Sequence, residues 1–436
     1  MVSHRTVRTA VLIATALAFL APVRARADVG LSLPPVADES LRGVRFGDFV
    51  FVPSLGIEGR YNSNVFRQDS REGRSEAGIL TLRPGFTLAN PTPSWLRLTW
   101  DASVDVNFWF SSDDNARRQG RVAADTGLRA EFLPGSVVGF FIADRFVRSD
   151  QPRNYSVSQR YDRNFNHAEA GLQVRPGGAL QFDLSYAYNF ELFDSFKDGD
   201  RTYHEARLLG SWAFFPKTSL FLDVDWRYQD WSRDKVGYRS DSMPLRALLG
   251  VRGYITRKIA VDVRAGYGQG FYRQGTDVQT FIGGASLAFK PTPFTLLDLG
   301  YQRDFEDAAY YARWYTSDAV HLTVRQQFVR RLELEGGIAY AYLSFARLRP
   351  VPGDLPGYVV LATNQPDRRD HALTAKARLS YSALRYLKLH VGYQFDAIFT
   401  DFRLEGDFNT AYGTVRTRDY GGFQSHQVFG GLTVLY

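Results

Sequence analysis

Leu96-Arg97-Leu98-Thr99-Trp100-Asp101-Ala102-Ser103-Val104-Asp105-Val106-Asn107-Phe108-Trp109-Phe110 is the stretch on which the fold turns. Apolar side chains take every even position from Leu96 to Phe110, and mostly polar ones fill the places between. A period of two marks a strand with one apolar and one polar face. Its length carries the information. Soluble strands run about five or six residues, whereas a tilted strand crossing a bilayer needs about nine to eleven.

The same alternation returns in 180–191, 220–229 and 387–396, and more weakly in 121–133, 137–148, 165–175, 204–214, 245–255, 259–271, 279–289, 295–305, 319–329, 332–344 and 372–382. Short turns near Pro91, Pro134, Pro176, Pro216, Arg257, Pro291, Arg330 and Ala383 alternate with long polar loops. The loops fall near 67–76, 111–120, 149–164, 193–203, 232–243, 273–278, 306–317, 346–370 and 401–422. These connections predict an all-β chain: a transmembrane antiparallel up-and-down β-barrel of about eighteen strands, short turns at one end and long loops at the other. Both termini are then expected on the short-turn, periplasmic side. A propeller also repeats every ~40–45 residues, but with four short strands per blade; here each period holds two long unbroken alternations.

Composition agrees with this. The chain has 436 residues, 24 Tyr, 33 Phe and no cysteine. Disulfides, cysteine–zinc sites, a cysteine nucleophile and a lipid-modified cysteine are excluded. The formal charge of +7 is concentrated at the start: Arg5, Arg8, Arg24 and Arg26 precede any acid, and without them 49 basic residues face 46 acidic ones. A near-neutral chain gives no electrostatic case for nucleic acid. Residues 1–27 read as a cleaved signal peptide, with a basic start, an apolar run from Thr9 to Val23 and Ala25-Arg26-Ala27 as the cleavage site. Residues 28–47 are expected as a periplasmic N-terminal segment and 48–436 as the barrel.

Outward aromatics should gather in two belts. On ascending strands they fall late (Phe108, Phe110, Tyr186, Tyr188, Trp226, Tyr228, Tyr340, Tyr342, Tyr393, Phe395), and on descending strands late again (Phe132, Trp212, Phe214, Phe289, Phe328, Tyr381). Amphipathic rings prefer the headgroup level, so a membrane barrel demands this segregation and a soluble core does not. The chain ends Phe429-Gly430-Gly431-Leu432-Thr433-Val434-Leu435-Tyr436. Gly431, Val434 and Tyr436 resemble the C-terminal insertion signal read by the barrel-assembly machinery; Phe429 stands where that signal usually has a polar residue.

Eighteen strands spaced ~4.8 Å and tilted ~40° give a backbone diameter of roughly 35 Å, wide enough for an aqueous bore. The expected pore-lining side chains are Arg97, Asp101, Asp105, Arg121, Asp125, Arg129, Arg145, Asp183, Arg207, Asp223, Asp225, Arg227, Arg246, Arg252, Asp262, Arg264, Arg325, Lys376 and Arg378. Both signs are interleaved, which suits a hydrated wall with cross-strand pairs rather than a single-sign filter. Arg207, Arg227, Arg246, Arg252 and Arg264 read either as a basic stripe for anionic or hydroxyl-rich solutes or as partners of Asp223, Asp225 and Asp262. Trp109, Phe221, Trp231 and Tyr254 have polar-face parity; they read either as stacking platforms for sugar rings or as packing for loops in the mouth. The seven histidines are scattered and none forms a metal-spaced pair, and no nucleophile elbow or phosphate loop appears. No enzyme activity, metal or cofactor is expected.

The segment from Leu55 to Phe66, containing Tyr61-Asn62-Ser63-Asn64-Val65-Phe66, then Leu80-Thr81-Leu82-Arg83-Pro84-Gly85-Phe86 and Leu299-Gly300-Tyr301-Gln302-Arg303, resembles the putative beta-barrel porin 2 family over essentially the whole mature chain. The resemblance implies an integral protein of the Gram-negative outer membrane. It also implies the role of the Wzp-type barrel of Wzx/Wzy pathways: secretion of an exopolysaccharide with a periplasmic polysaccharide export protein as partner. A general diffusion or sugar-uptake porin, and a structural outer-membrane anchor with a plugged barrel, are the alternative expectations. The loop with Pro350, Pro352, Pro356 and Pro366 is the expected lid.

Overall fold

The computed structural model describes residues 43–436 apart from 72, 91–94, 151–161, 196, 232–240, 274–276, 309–311, 329–330, 348–357, 364–366 and 411–412. The expected signal peptide, the turn at Pro91 and the prolines of the expected lid lie outside the described residues. A short strand β1 (Val44–Phe46) leads into the barrel strands β2 (Phe49–Asn62), β3 (Ala77–Ala89), β4 (Leu96–Phe110), β5 (Val122–Phe132), β6 (Val138–Ser149), β7 (Arg163–Gly177), β8 (Leu180–Phe193), β9 (Arg201–Phe215) and β10 (Thr218–Trp231). They continue as β11 (Ser242–Tyr254), β12 (Ile259–Tyr272), β13 (Val278–Phe289), β14 (Thr295–Asp307), β15 (Trp314–Gln327) and β16 (Leu332–Phe345). Past the loop strand β17 (Tyr358–Thr363) come β18 (Arg369–Ser382) and β19 (Leu387–Phe399). The loop strands β20 (Arg403–Thr410) and β21 (Gly413–Tyr420) precede the last barrel strand, β22 (Phe423–Leu435).

Each of the eighteen barrel strands pairs antiparallel with its neighbour, and β22 pairs with β2 from Ser54↔Leu435 to Asn62↔Gln427, closing the sheet. Following the paired positions once around returns to β2 displaced by about 22 residues, which for eighteen strands corresponds to a tilt of about 40° and a backbone radius of about 18 Å.

Strands run beyond membrane length at the long-loop end. The expected loop 193–203 shrinks because β8 reaches Phe193 and β9 starts at Arg201; the expected loop 306–317 shrinks because β14 and β15 stay paired up to Asp307↔Trp314. The loops expected at 346–370 and 401–422 also hold structure, a three-stranded sheet of β17, β20 and β21. The added segments are shorter than a spanning strand, so alternation alone does not reveal them.

Even-numbered β4 residues and odd-numbered β14 residues point outward, and the apolar side chains exposed there include Trp100, Val104, Phe108, Leu299 and Tyr301. At the short-turn end Phe132 stacks on Phe140 and meets Trp95 at a tilt on its other side. At the other end three tyrosines bond histidine Nδ1 atoms on the neighbouring strand: Tyr186–His204 at 2.5 Å, Tyr340–His371 at 2.6 Å and Tyr393–His426 at 2.8 Å. A second ring two residues along (Tyr188, Tyr342, Phe395) lies against the same histidine each time. Both belts therefore exist, and the long-loop belt is the more polar.

Two sequence features acquire local reasons. At Pro84-Gly85 the β3–β4 pairs skip from Leu82↔Val106 to Gly85↔Ser103, because proline has no N–H to give the ladder. At the closing seam Gly431 faces inward, and a Cβ there would press on the Ile57 carbonyl and lie 2.9 Å from Glu58 Cα. Gly59, across the same seam, has nothing nearer than Gly430 O at 4.0 Å. Gly431→Ala is therefore expected to abolish most of the folded, heat-shifted species on unboiled gels, while Gly59→Ala leaves it near wild-type; equal behaviour of the two would contradict this seam.

Candidate functional site: the inner wall and its mouth

Inward parity places a continuous set of charged side chains on the inner face. On β3–β6 the pairs are Arg83–Asp105 (2.5 Å), Arg97–Glu131 (2.9 Å), Arg129–Glu131 (2.9 Å) and Arg145–Asp125 (2.7 Å), while Thr87 donates to Asp101 at 2.8 Å. On β7–β11 Glu191 is held between Arg163 (2.8 Å) and Arg201 (2.7 Å), Arg207 grips Asp223 with two bonds of 2.7 and 2.8 Å, and Arg227 meets Glu205 at 3.1 Å. Arg246 lies 3.8 Å from Asp225. Arg252 stands opposite Asp262 across the β11–β12 ladder, and Arg264 is two residues further along the same face of β12. Asp183 accepts from Gln181 at 2.9 Å. Arg325 reaches Glu335 at 3.4 Å, Arg378 is that glutamate's neighbour on β18, and Lys376 lies over Gly337. Arg121 is exposed just before β5, at the long-loop end, where its carbonyl accepts from Asn107 N–H.

The five arginines of the expected stripe thus sit among carboxylates. Arg207 and Arg246 meet the expected aspartates, whereas Arg227 takes Glu205, a residue outside the expected set. Glu58, Arg60 and His390 also fall outside that set. They form a cluster across the closing seam, with Arg60 at 2.7 Å and His390 Nε2 at 3.0 Å from Glu58. Alternation gives their parity, but the pairing of residues 332 apart comes only from closure.

Three of the four aromatics, Trp109, Phe221 and Trp231, lie against neighbouring side chains. Trp231 and Phe221 are 3% and 4% exposed, with Arg201 and Arg252 over their rings at 5.2 and 5.0 Å. Trp109 packs on Val65, Ala77 and Ile79 and donates to Gly120 O at 3.4 Å. Tyr254 is half-buried at the short-turn end, opposite Ala260. Arginine over an inward ring recurs at Arg129–Phe141 and Arg60–Phe429, so the wall's ring faces are largely occupied from within.

The mouth departs from simple alternation. The β13–β14 ladder stops at Gly283↔Arg303, while β14 and β15 continue together to Asp307↔Trp314. Freed from β13, the top of this hairpin leans across the inner face of β11–β13. Arg246 bonds Asp304 at 2.9 Å and the Phe305 carbonyl. Ser242 and Tyr272 donate to Asp307 at 2.6 and 2.5 Å. Phe305 is fully buried against the bare backbone of Gly268 and Gly270, where added Cβ atoms would lie 2.6 and 3.1 Å from its ring. Beyond it, Ala308 and Ala312 join Tyr315, Leu343, Phe345, Ala372, Ile398 and Phe423 in a buried apolar cluster. Arg368, bound to Asp370 at 2.6 Å, lies over Phe345 and the loop residue Phe402. A loop on the opposite side is tied down by Asp113, which accepts from Ser75 Oγ at 2.5 Å and caps the short helix α1 (Asp114–Arg117) through Asn115 N–H. The Ser75 hydroxyl and the helix N–H groups hold its carboxyl below the ordinary aspartate range.

A closed, girdled cylinder with a charged inner face is an outer-membrane β-barrel of the porin type. Residues 40–415 match the family described as Putative beta-barrel porin 2, and the chain belongs to that family. No curated protein matches the sequence. Similar solved structures include OccAB3 of Acinetobacter baumannii, at 10% identity and TM-score 0.45 over 88% of this chain and 99% of that one. OccK11 (OpdR) of Pseudomonas aeruginosa gives 13% and 0.45 over 88% and 96%. The FrpB iron transporter of Neisseria meningitidis gives 6% and 0.47 over 88% and 81%.

Removing one member of a buried pair strands its partner, at a cost of about 3–5 kcal/mol, whereas an exposed pair contributes about 0–1 kcal/mol. Arg227 and Glu205 have side chains 5% and 9% exposed, and Arg97 is 53% exposed. Urea unfolding in lipid vesicles should show Arg227→Ala destabilised by several-fold more than Arg97→Ala.

Proposed function

We propose that the protein is a passive outer-membrane conduit through which a growing exopolysaccharide leaves the cell. The observation that carries this reading is the wall of mutually paired charges. Such a surface stays hydrated and offers hydrogen bonds all along its height, and among the described residues most of its charges stand beside a group of opposite sign, which disfavours trapping a polymer. Glycan hydroxyls can exchange partners along it at little net cost, since each bond lost is replaced by another. In this reading the barrel is passive, and drive comes from synthesis and from a periplasmic export protein docked on the short turns, with both termini on that side. No chemistry is assigned to the barrel itself. The bonds that seat Asp304 and Asp307 of the β14–β15 hairpin on the inner face at the long-loop end favour a conduit opened by its cargo or partner over a permanently open one.

A general diffusion or sugar-uptake porin is the second reading, favoured by the bore that eighteen strands enclose. The two part on conductance. For an export conduit, the purified protein in planar bilayers should conduct weakly, and replacing residues 304–315 by a short turn should raise conductance several-fold. Deleting the gene should remove surface polysaccharide while precursors persist inside. Full conductance of the intact protein together with normal export in the deletion strain would leave the porin reading standing.

A further inference from the structure

On β6 the outward residues are Val138, Phe140, Ile142, Asp144, Phe146 and Arg148. Phe140 stacks on Phe132 in the short-turn belt, and Arg148 bonds Asp194 beyond β8 at the long-loop end. Asp144 lies four residues from each, about 10 Å along the barrel axis from both levels. A carboxylate thus stands on the lipid-facing surface at mid-height, and Asn166 Nδ2 donates to it at 2.9 Å. One strand away Trp100 Nε1 donates to Thr126 Oγ at 3.1 Å, again outward. Ala102, Ala124, Ala168 and Ala170 fill the surface around these couples. At this height β9, β11, β12 and β14 present Leu208, Leu249, Val263 and Leu299, and β8 presents Tyr186, whose hydroxyl rises to His204.

Hydrocarbon is the wrong neighbour for such a patch. Ionisable groups at mid-depth are costly there and are normally turned toward protein or water. Among the described residues Asp144 is the one ionisable side chain facing outward between the belts.

We infer that the outer face of β4–β7 is the contact surface of a cyclic homo-oligomer, with a second copy of this chain as the occupant. Copies related by an axis along the membrane normal meet at equal depth. Acceptor and donors here share one face at one depth: the bond seen uses one carboxylate oxygen of Asp144 and one N–H of Asn166, and leaves a second of each for bonding across. The alanines let two sheets approach closely, as small residues do between membrane segments. This assembly is independent of what passes through the bore.

The natural chain has no cysteine, so single cysteines report proximity cleanly. In native outer membranes Ala168→Cys should cross-link through a bis-maleimide to a species of twice the chain mass, at least five-fold more than Leu299→Cys on β14. Adding Asp144→Leu to Ala168→Cys should cut that yield several-fold while the heat-shifted folded band persists. Cross-linking of Ala168→Cys no stronger than Leu299→Cys, a product of any other mass, or a yield untouched by Asp144→Leu would overturn the inference.

Discussion

Inside a hydrocarbon layer a backbone N–H or C=O has no water to bond, and each one left unpaired costs several kcal/mol. A sheet can meet that demand only by closing, and everything distinctive in this chain follows from it. The last strand must find the second, so β22 pairs with β2 across the whole span of the sequence. Gly431 is bare because the Ile57 backbone comes too close for a side chain. Glu58, Arg60 and His390, remote in sequence, become neighbours because the seam brings them together.

Closure also fixes tilt, width and depth at once. A stagger of about 22 residues around eighteen strands sets the bore, and it sets the height at which every outward residue meets the bilayer. That is why the tyrosine–histidine couples line up at one end although they come from three separate hairpins. The same geometry makes the Asp144–Asn166 couple stand out: it has the right parity for lipid and the wrong chemistry.

The architecture was legible in the sequence because a period of two maintained over a dozen residues arises almost solely from a long strand with one apolar face, and 96–110 reads almost without a break. Strand number, and which end of the barrel carries the long loops, followed from turn and loop lengths. Partners did not follow. Parity says that Arg227 faces inward, but only register shows that Glu205 rather than Asp225 is its close contact. Nor did the mouth follow. Phe305 has the parity of an outward residue, yet it lies on the inner face, because the hairpin leaves its neighbour above Gly283 and seats on Gly268 and Gly270. Such a departure is set by which bare backbone awaits a ring, and no local pattern encodes that. Trp109, Phe221 and Trp231 had the parity of sugar platforms; here their surroundings are an apolar cluster and two arginines.

The central claim is a sealed cylinder, apolar outside and hydrated within. Single cysteines placed in turn along 98–108, each carrying a fluorophore in the vesicle-inserted protein, test it most directly. Such a cylinder predicts strict alternation, with even positions quenched by brominated acyl chains and odd positions by aqueous iodide. Labels that respond alike to both quenchers at successive positions would contradict it.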